Sequence, residues 1–100
     1  MNLPNTDSII TLKLVTGEEV VAKLKSTNET SVTVTRPVVI MMSPQGLAFG
    51  SFTPTMDSTQ GLTLNKSAIM SVGPTLDTVA KEYTNATSPI KTPPKSSLIV

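Results

Sequence analysis

Apolar and polar side chains alternate through residues 9–34, IITLKLVTGEEVVAKLKSTNETSVTV. Ile10, Leu12 and Leu14 share one parity, as do Val20, Ala22 and Leu24, and then Val32 and Val34. A period of two marks strands with one face turned to a core, so the pattern predicts three short strands. Thr16-Gly17-Glu18-Glu19 separates the first two, and Ser26-Thr27-Asn28-Glu29 separates the second from the third. Both are turn chemistry, because Gly17 takes positive φ without a Cβ clash and Asn28 can bond its own backbone. An antiparallel meander is therefore the expected nucleus, with strands over residues 8–15 and 19–25 and a third starting near Thr30.

The third strand is expected to continue through Arg36-Pro37 into VVIMM. Pro37 has no N–H, so it marks an edge, a bulge or a sharp bend. Residues 38–42 are apolar on both parities, which predicts that a helix or a neighbouring subunit covers their second face. Ser43-Pro44-Gln45-Gly46 fits a type I turn, and a strand over residues 47–53 should follow, with Gly50 allowing a bend or bulge. Residues 54–61 read as a polar loop, Leu62-Thr63-Leu64 as a return to alternation, and residues 68–72 as a last strand stopped by Gly73-Pro74. Thr75 then reads as a helix N-cap with Asp77 in the first turn, and Leu76, Val79, Ala80 and Tyr83 form one apolar stripe. Residues 86–100 hold Pro89, Pro93, Pro94, Lys91 and Lys95 and read as an extended tail, whose apolar Leu98-Ile99-Val100 suits the strand edge of another chain. The expected organisation is an arm over residues 1–7, a barrel over 8–74, a helix over 75–85 and the tail over 86–100. The expected class is all-β: a small, strongly bent, five-stranded antiparallel SH3-like barrel with a short C-terminal helix.

Composition narrows the chemistry. Of 100 residues only Phe49, Phe52 and Tyr83 are aromatic, so the core must be thin and aliphatic, and association of copies would add burial that a short chain lacks. A net charge of +1 gives no global attraction to nucleic acid or lipid, so any such binding must come from a local cluster. Lys13, Lys23 and Lys25 are expected on the outer side of the sheet, as a solvated face or as a stripe that tracks phosphates. Histidine and cysteine are both absent, which excludes thiolate nucleophiles, Ser-His and Cys-His pairs, imidazole shuttles, and thiolate or imidazole zinc sites. The acids are scattered over turns and helix, so the expectation is a non-catalytic protein with no metal and no cofactor. No segment resembles a signal peptide, and the longest apolar run, residues 38–42, cannot span a bilayer. A soluble, cytoplasmic protein without a membrane partner is expected.

Two short motifs resemble those of the Sm and LSm family, which includes the bacterial RNA chaperone Hfq. The first family motif is similar to Leu14, Gly17, Val20, Ala22 and Leu24, with Asn28 at the family's aspartate. The second is similar to Asn65-Lys66-Ser67-Ala68-Ile69-Met70-Ser71-Val72, with Lys66 on the family's lysine. The resemblance implies five bent strands in a homo-oligomeric ring of about five to seven subunits, the fourth strand of one pairing with the fifth of the next. It also implies single-stranded RNA or DNA as partner, bound near the pore at the turns before strands three and five. That carries Asn28 and Thr30 from one turn and Asn65, Lys66 and Ser67 from the other. Thr30 stands where the family stacks a base, Val32 where it has asparagine, and Ser67 where Hfq has histidine, while the helix follows the strands instead of preceding them. These departures are most similar to a remote branch such as the Sm-like proteins of marine phages, which would place the chain in the cytoplasm of a bacterial host. An adaptor ring serving phage assembly without nucleic-acid binding is the alternative.

Overall fold

The computed structural model describes residues 3–87; of the tail expected over residues 86–100, Ala86 and Thr87 belong to the helix, and the rest, with Leu98-Ile99-Val100, lies outside the described residues. The described residues form six strands: β1 (Ile9–Leu14), β2 (Glu19–Thr27), β3 (Ser31–Ser43), β4 (Gly46–Ser51), β5 (Leu62–Asn65) and β6 (Ile69–Pro74). A 3-10 turn (Lys66–Ala68) links β5 to β6, and one helix, α1 (Asp77–Thr87), follows. All strand pairs are antiparallel, in the order β4-β3-β2-β1-β6, with β5 also on β3. The 13-residue β3 carries two partners along its outer edge: Val32 and Val34 face Leu64 and Leu62 of β5, and Val38 to Ser43 face β4. β4 and β5 thus occupy one position in the sheet, interrupted by the loop over residues 52–61. That loop holds an Asx turn in which the hydroxyl and N–H of Thr59 donate to Asp57 and hold its carboxyl below the usual range.

The alternation read in the sequence is the core itself. Ile10, Leu12, Leu14, Val20, Ala22, Leu24, Val32 and Val34 are buried together with Leu62 of β5 and Ile69 of β6. β5 and β6 lie at opposite sides of the sheet, so sharing one core requires the sheet to curl. Three register shifts interrupt the ladders, one of them in β6 at Met70, between the Lys13–Ser71 and Leu14–Ile69 pairs. Between the Val21–Val38 and Lys23–Thr35 pairs, β3 carries the extra residue at Arg36-Pro37, and β2 carries one at Lys25 between the Leu24–Val34 and Ser26–Thr33 pairs. Among the described residues no ladder joins β5 to β6. The 3-10 turn spans the gap instead, since the Lys66 N–H donates to the Thr30 carbonyl at 2.8 Å and the Val15 N–H donates to the Ala68 carbonyl at 2.9 Å.

Several expectations change in detail. β2 runs on through Ser26 and Thr27, so the second turn is shorter and falls on Asn28, Glu29 and Thr30. Gly50 sits in unbroken register opposite Val39 and makes no bulge; a Cβ there would lie 2.7 Å from the Met41 Cε, the mobile end of a side chain that could shift aside. Thr75 does not cap the helix, because its hydroxyl shares a 2.9 Å hydrogen bond with that of Thr11. Leu76 precedes α1 and is 73% exposed, so the buried residue of the expected stripe is Tyr83. Among the described residues nothing covers the end of the 38–42 stretch: Met41 and Met42 are exposed, Met42 at 78%, while Val38, Val39 and Ile40 are half-buried. The arm is a turn docked on β2, where the Asp7 N–H donates to the Leu24 carbonyl at 2.7 Å and Leu3 packs on the core.

Candidate functional site

β2 ends and β3 begins at a turn whose geometry is set by one side chain. The Asn28 Oδ1 accepts from the backbone N–H groups of Thr30 (2.9 Å) and Ser31 (2.8 Å) and from their hydroxyls at 3.4 and 3.1 Å. Its own N–H donates to the Ser31 carbonyl at 3.0 Å, which also receives the Thr27 hydroxyl at 3.2 Å. An Asx turn of this kind explains why asparagine suits the position, since a short amide satisfies backbone donors that no ladder reaches. It also means that the Asn28 oxygen is occupied, while its amide NH₂ points donors outward from an exposed residue.

The second segment arrives at the same place. Asn65 pairs in register with Ser31, and Lys66 follows it into the 3-10 turn, held by the bond to Thr30. Asn65 opens that turn with extended backbone and makes no side-chain cap bond, and Asn65 and Ser67 are exposed while Lys66 is half-buried. All five residues singled out in the sequence, Asn28, Thr30, Asn65, Lys66 and Ser67, therefore sit at one end of the curled sheet, on two segments tied by a main-chain bond. The arrangement offers an ammonium group, two side-chain amides and two hydroxyls on exposed backbone. Such a set can meet phosphate and sugar oxygens, and it holds no aromatic ring on which a base could stack. Among the described residues no group of three or more acidic side chains gathers as a metal site would require.

The lysine stripe is only partly one feature. Lys13 donates to the Gly17 carbonyl at 3.0 Å and Lys25 to the Gln60 carbonyl at 2.7 Å, so both brace turns, whereas Lys23 lines a cleft beside α1. No family model matches this chain, and no curated protein matches it. Arg36 and Tyr83 read in the sequence as a strand residue and a packing residue, with no part in a site. The Tyr83 hydroxyl donates to the Arg36 carbonyl at 2.7 Å and to the Thr35 carbonyl at 3.3 Å, which pins α1 to the β3 bulge. Burial pushes this hydroxyl up to about 12, against smaller downward pulls from the Arg36 guanidinium and the Lys23 backbone. The available signal was the break in alternation at Thr35-Arg36-Pro37, which places a cation at a bulge. No helix among the described residues is long and apolar enough to cross a membrane.

Proposed function

We propose that the chain is an Sm-like, homo-oligomeric ring protein that binds single-stranded RNA or DNA without catalysis. The observation that supports this reading is the main-chain bond from Lys66 to Thr30, which joins the two motif segments at one end of the sheet. Among the described residues β4 and β6 are the outermost strands of the sheet order, and neither has a second partner there. Exposed Leu47 on β4 and Met70 on β6, the latter 64% exposed, are apolar groups that contact between copies would bury. Pairing of β4 with β6 of the next copy would use both edges and close a ring, the kind of association that unprotected edges favour. Lys66, repeated around such a ring, gathers a positive charge that the +1 chain lacks.

One observation favours the adaptor reading. The Asn28 oxygen already accepts from four donors, so it has little capacity left to read a base. Light scattering at fixed protomer concentration, followed by anisotropy titrations of oligo-U and oligo-A over salt, separates the readings. A ring that binds, and whose Lys66→Ala variant binds more weakly with a shallower salt slope, is the expected result. A ring with no binding at low salt selects the adaptor, and a monomer overturns both.

A further inference from the structure

A cleft of about 540 Å³ opens between the N-terminal arm, the β2–β3 bulge and α1, away from the motif segments. Its walls include Asp7, Ile9, Lys23, Thr35, Arg36 and Tyr83. At a rise of about 3.3 Å per residue, Lys23 lies roughly 15 Å along β2 from the Asn28 turn, so this is a separate place.

Backbone conformation singles out the same cleft. Among the described residues two non-glycines have positive φ, Asp7 at 72° and Arg36 at 50°, and both line it. Left-handed backbone is costly for a residue with a Cβ; aspartate tolerates it, but a long side chain such as arginine has no local bond with which to offset the strain. The fold holds Arg36 there from several sides. Its N–H donates to the Ser58 carbonyl at 3.3 Å, its carbonyl accepts from Tyr83, and its guanidinium donates to the Thr87 carbonyl at 3.4 Å. A glycine or asparagine would satisfy the backbone with less strain, so the guanidinium is the part of Arg36 that this position retains at a cost. Strain that the surroundings over-determine is a mark of binding sites.

The chemistry of the walls then selects a ligand. Lys23 and Arg36 flank Thr35 across the bulge and present an ammonium and a planar donor fork, the pair that suits a phosphate group. Ile9 and the ring of Tyr83 add apolar surface, and Asp7 adds an acceptor for N–H or O–H groups. A bare inorganic anion would use the two cations and leave the apolar wall and the carboxylate without partners. We propose that this cleft binds a phosphate ester of mononucleotide size, with its phosphate on Lys23 and Arg36 and its donor groups toward Asp7.

Calorimetric titration of the full chain with AMP, adenosine and inorganic phosphate tests this. AMP should bind at least about tenfold tighter than either of the others, and Lys23→Gln and Arg36→Asn should each weaken it about fivefold or more. Arg36→Asn should meanwhile raise Tm by about 2–5 °C, because asparagine accepts the left-handed backbone, so loss of binding cannot be put down to unfolding. Lys66→Ala should leave AMP affinity unchanged, which keeps this site distinct from the motif segments. Competition by oligo-A tells whether the phosphate ester is a nucleotide within a strand or a free one. No binding at millimolar AMP, equal binding of adenosine, or full affinity in Arg36→Asn overturns the proposal.

Discussion

Replacing Tyr83 by Phe keeps the ring and removes only the hydroxyl that ties α1 to the β3 bulge. Tyr83 is 2% exposed, so the packing surface is retained, while the Arg36 carbonyl loses a 2.7 Å bond and the Thr35 carbonyl a longer one. A carbonyl left unsatisfied in a buried setting costs about 1–3 kcal/mol, which in a domain of this size lowers Tm by about 5–15 °C. A second signature is alkaline. The hydroxyl is raised from 10.0 to about 12, so the folded state holds this proton more tightly than the unfolded chain. Its contribution is fully present below pH 10 and is lost as the pH rises from 10 to about 12; at about 1.4 kcal/mol per pH unit the loss is on the order of 2–3 kcal/mol. Urea unfolding of both proteins at fixed protomer concentration, from pH 7 to beyond pH 11, reads both effects. The two proteins differ only in this hydroxyl, so the difference between the curves isolates Tyr83. Equal stability at pH 7, or curves that stay parallel through the alkaline range, would refute the assignment of the hydroxyl as the anchor of α1.

Gly17→Ala should lower stability by about 1–2 kcal/mol in a thermal melt, a purely backbone effect, since its φ is 101° and nothing lies within 4 Å of a Cβ there. Asn28→Ala should cost about 0.5–1.5 kcal/mol, the four donors on the Oδ1 being exposed enough for water to replace part of what they lose. Asn28→Asp should melt close to the unchanged protein, because a carboxylate oxygen accepts from the same donors; a loss equal to that of the alanine variant would show that the turn does not depend on this acceptor.

The meander was legible because its signals are local. Period-two alternation names the core residues Ile10, Leu12, Leu14, Val20, Ala22, Leu24, Val32 and Val34, and Gly17 and Asn28 each sit in the turn their chemistry suits. Features that depend on distant partners were not legible. Thr75 looks like a cap until the fold brings Thr11 to its hydroxyl, and Gly50 looks like a bend until the Met41 side chain is seen lying against it. Arg36 is similar. Its neighbour Pro37 announces a bulge, but only the packing of α1 and the loop over residues 52–61 around it shows that an arginine is held in a conformation that suits glycine. For the motif segments, the sequence supplied the residues, and the 3-10 turn that spans from Thr30 to Val15 supplied their proximity.

That proximity also redistributes the roles within the motif segments. Leu14, Val20, Ala22 and Leu24 are core, Gly17 is a turn with left-handed backbone, and Asn28 spends its oxygen on Thr30 and Ser31. Each therefore has a sufficient structural cause, and of them only the occupied Asn28 oxygen bears on the choice between a nucleic-acid binder and an adaptor built on the same sheet. The residues whose placement has no such cause are Lys66, Asn65 and Ser67, whose main chain helps close the gap in the sheet while their side chains bond to nothing among the described residues. Were those side chains mere fillers, exchanging all three for alanine would leave the main-chain bonds to Thr30 and Val15 intact and change nothing else. A triple variant that keeps its melting behaviour and oligomeric mass but loses oligonucleotide binding would place recognition in this segment. One that keeps binding would move the search to the Lys23–Arg36 cleft, the other cationic surface described in the fold.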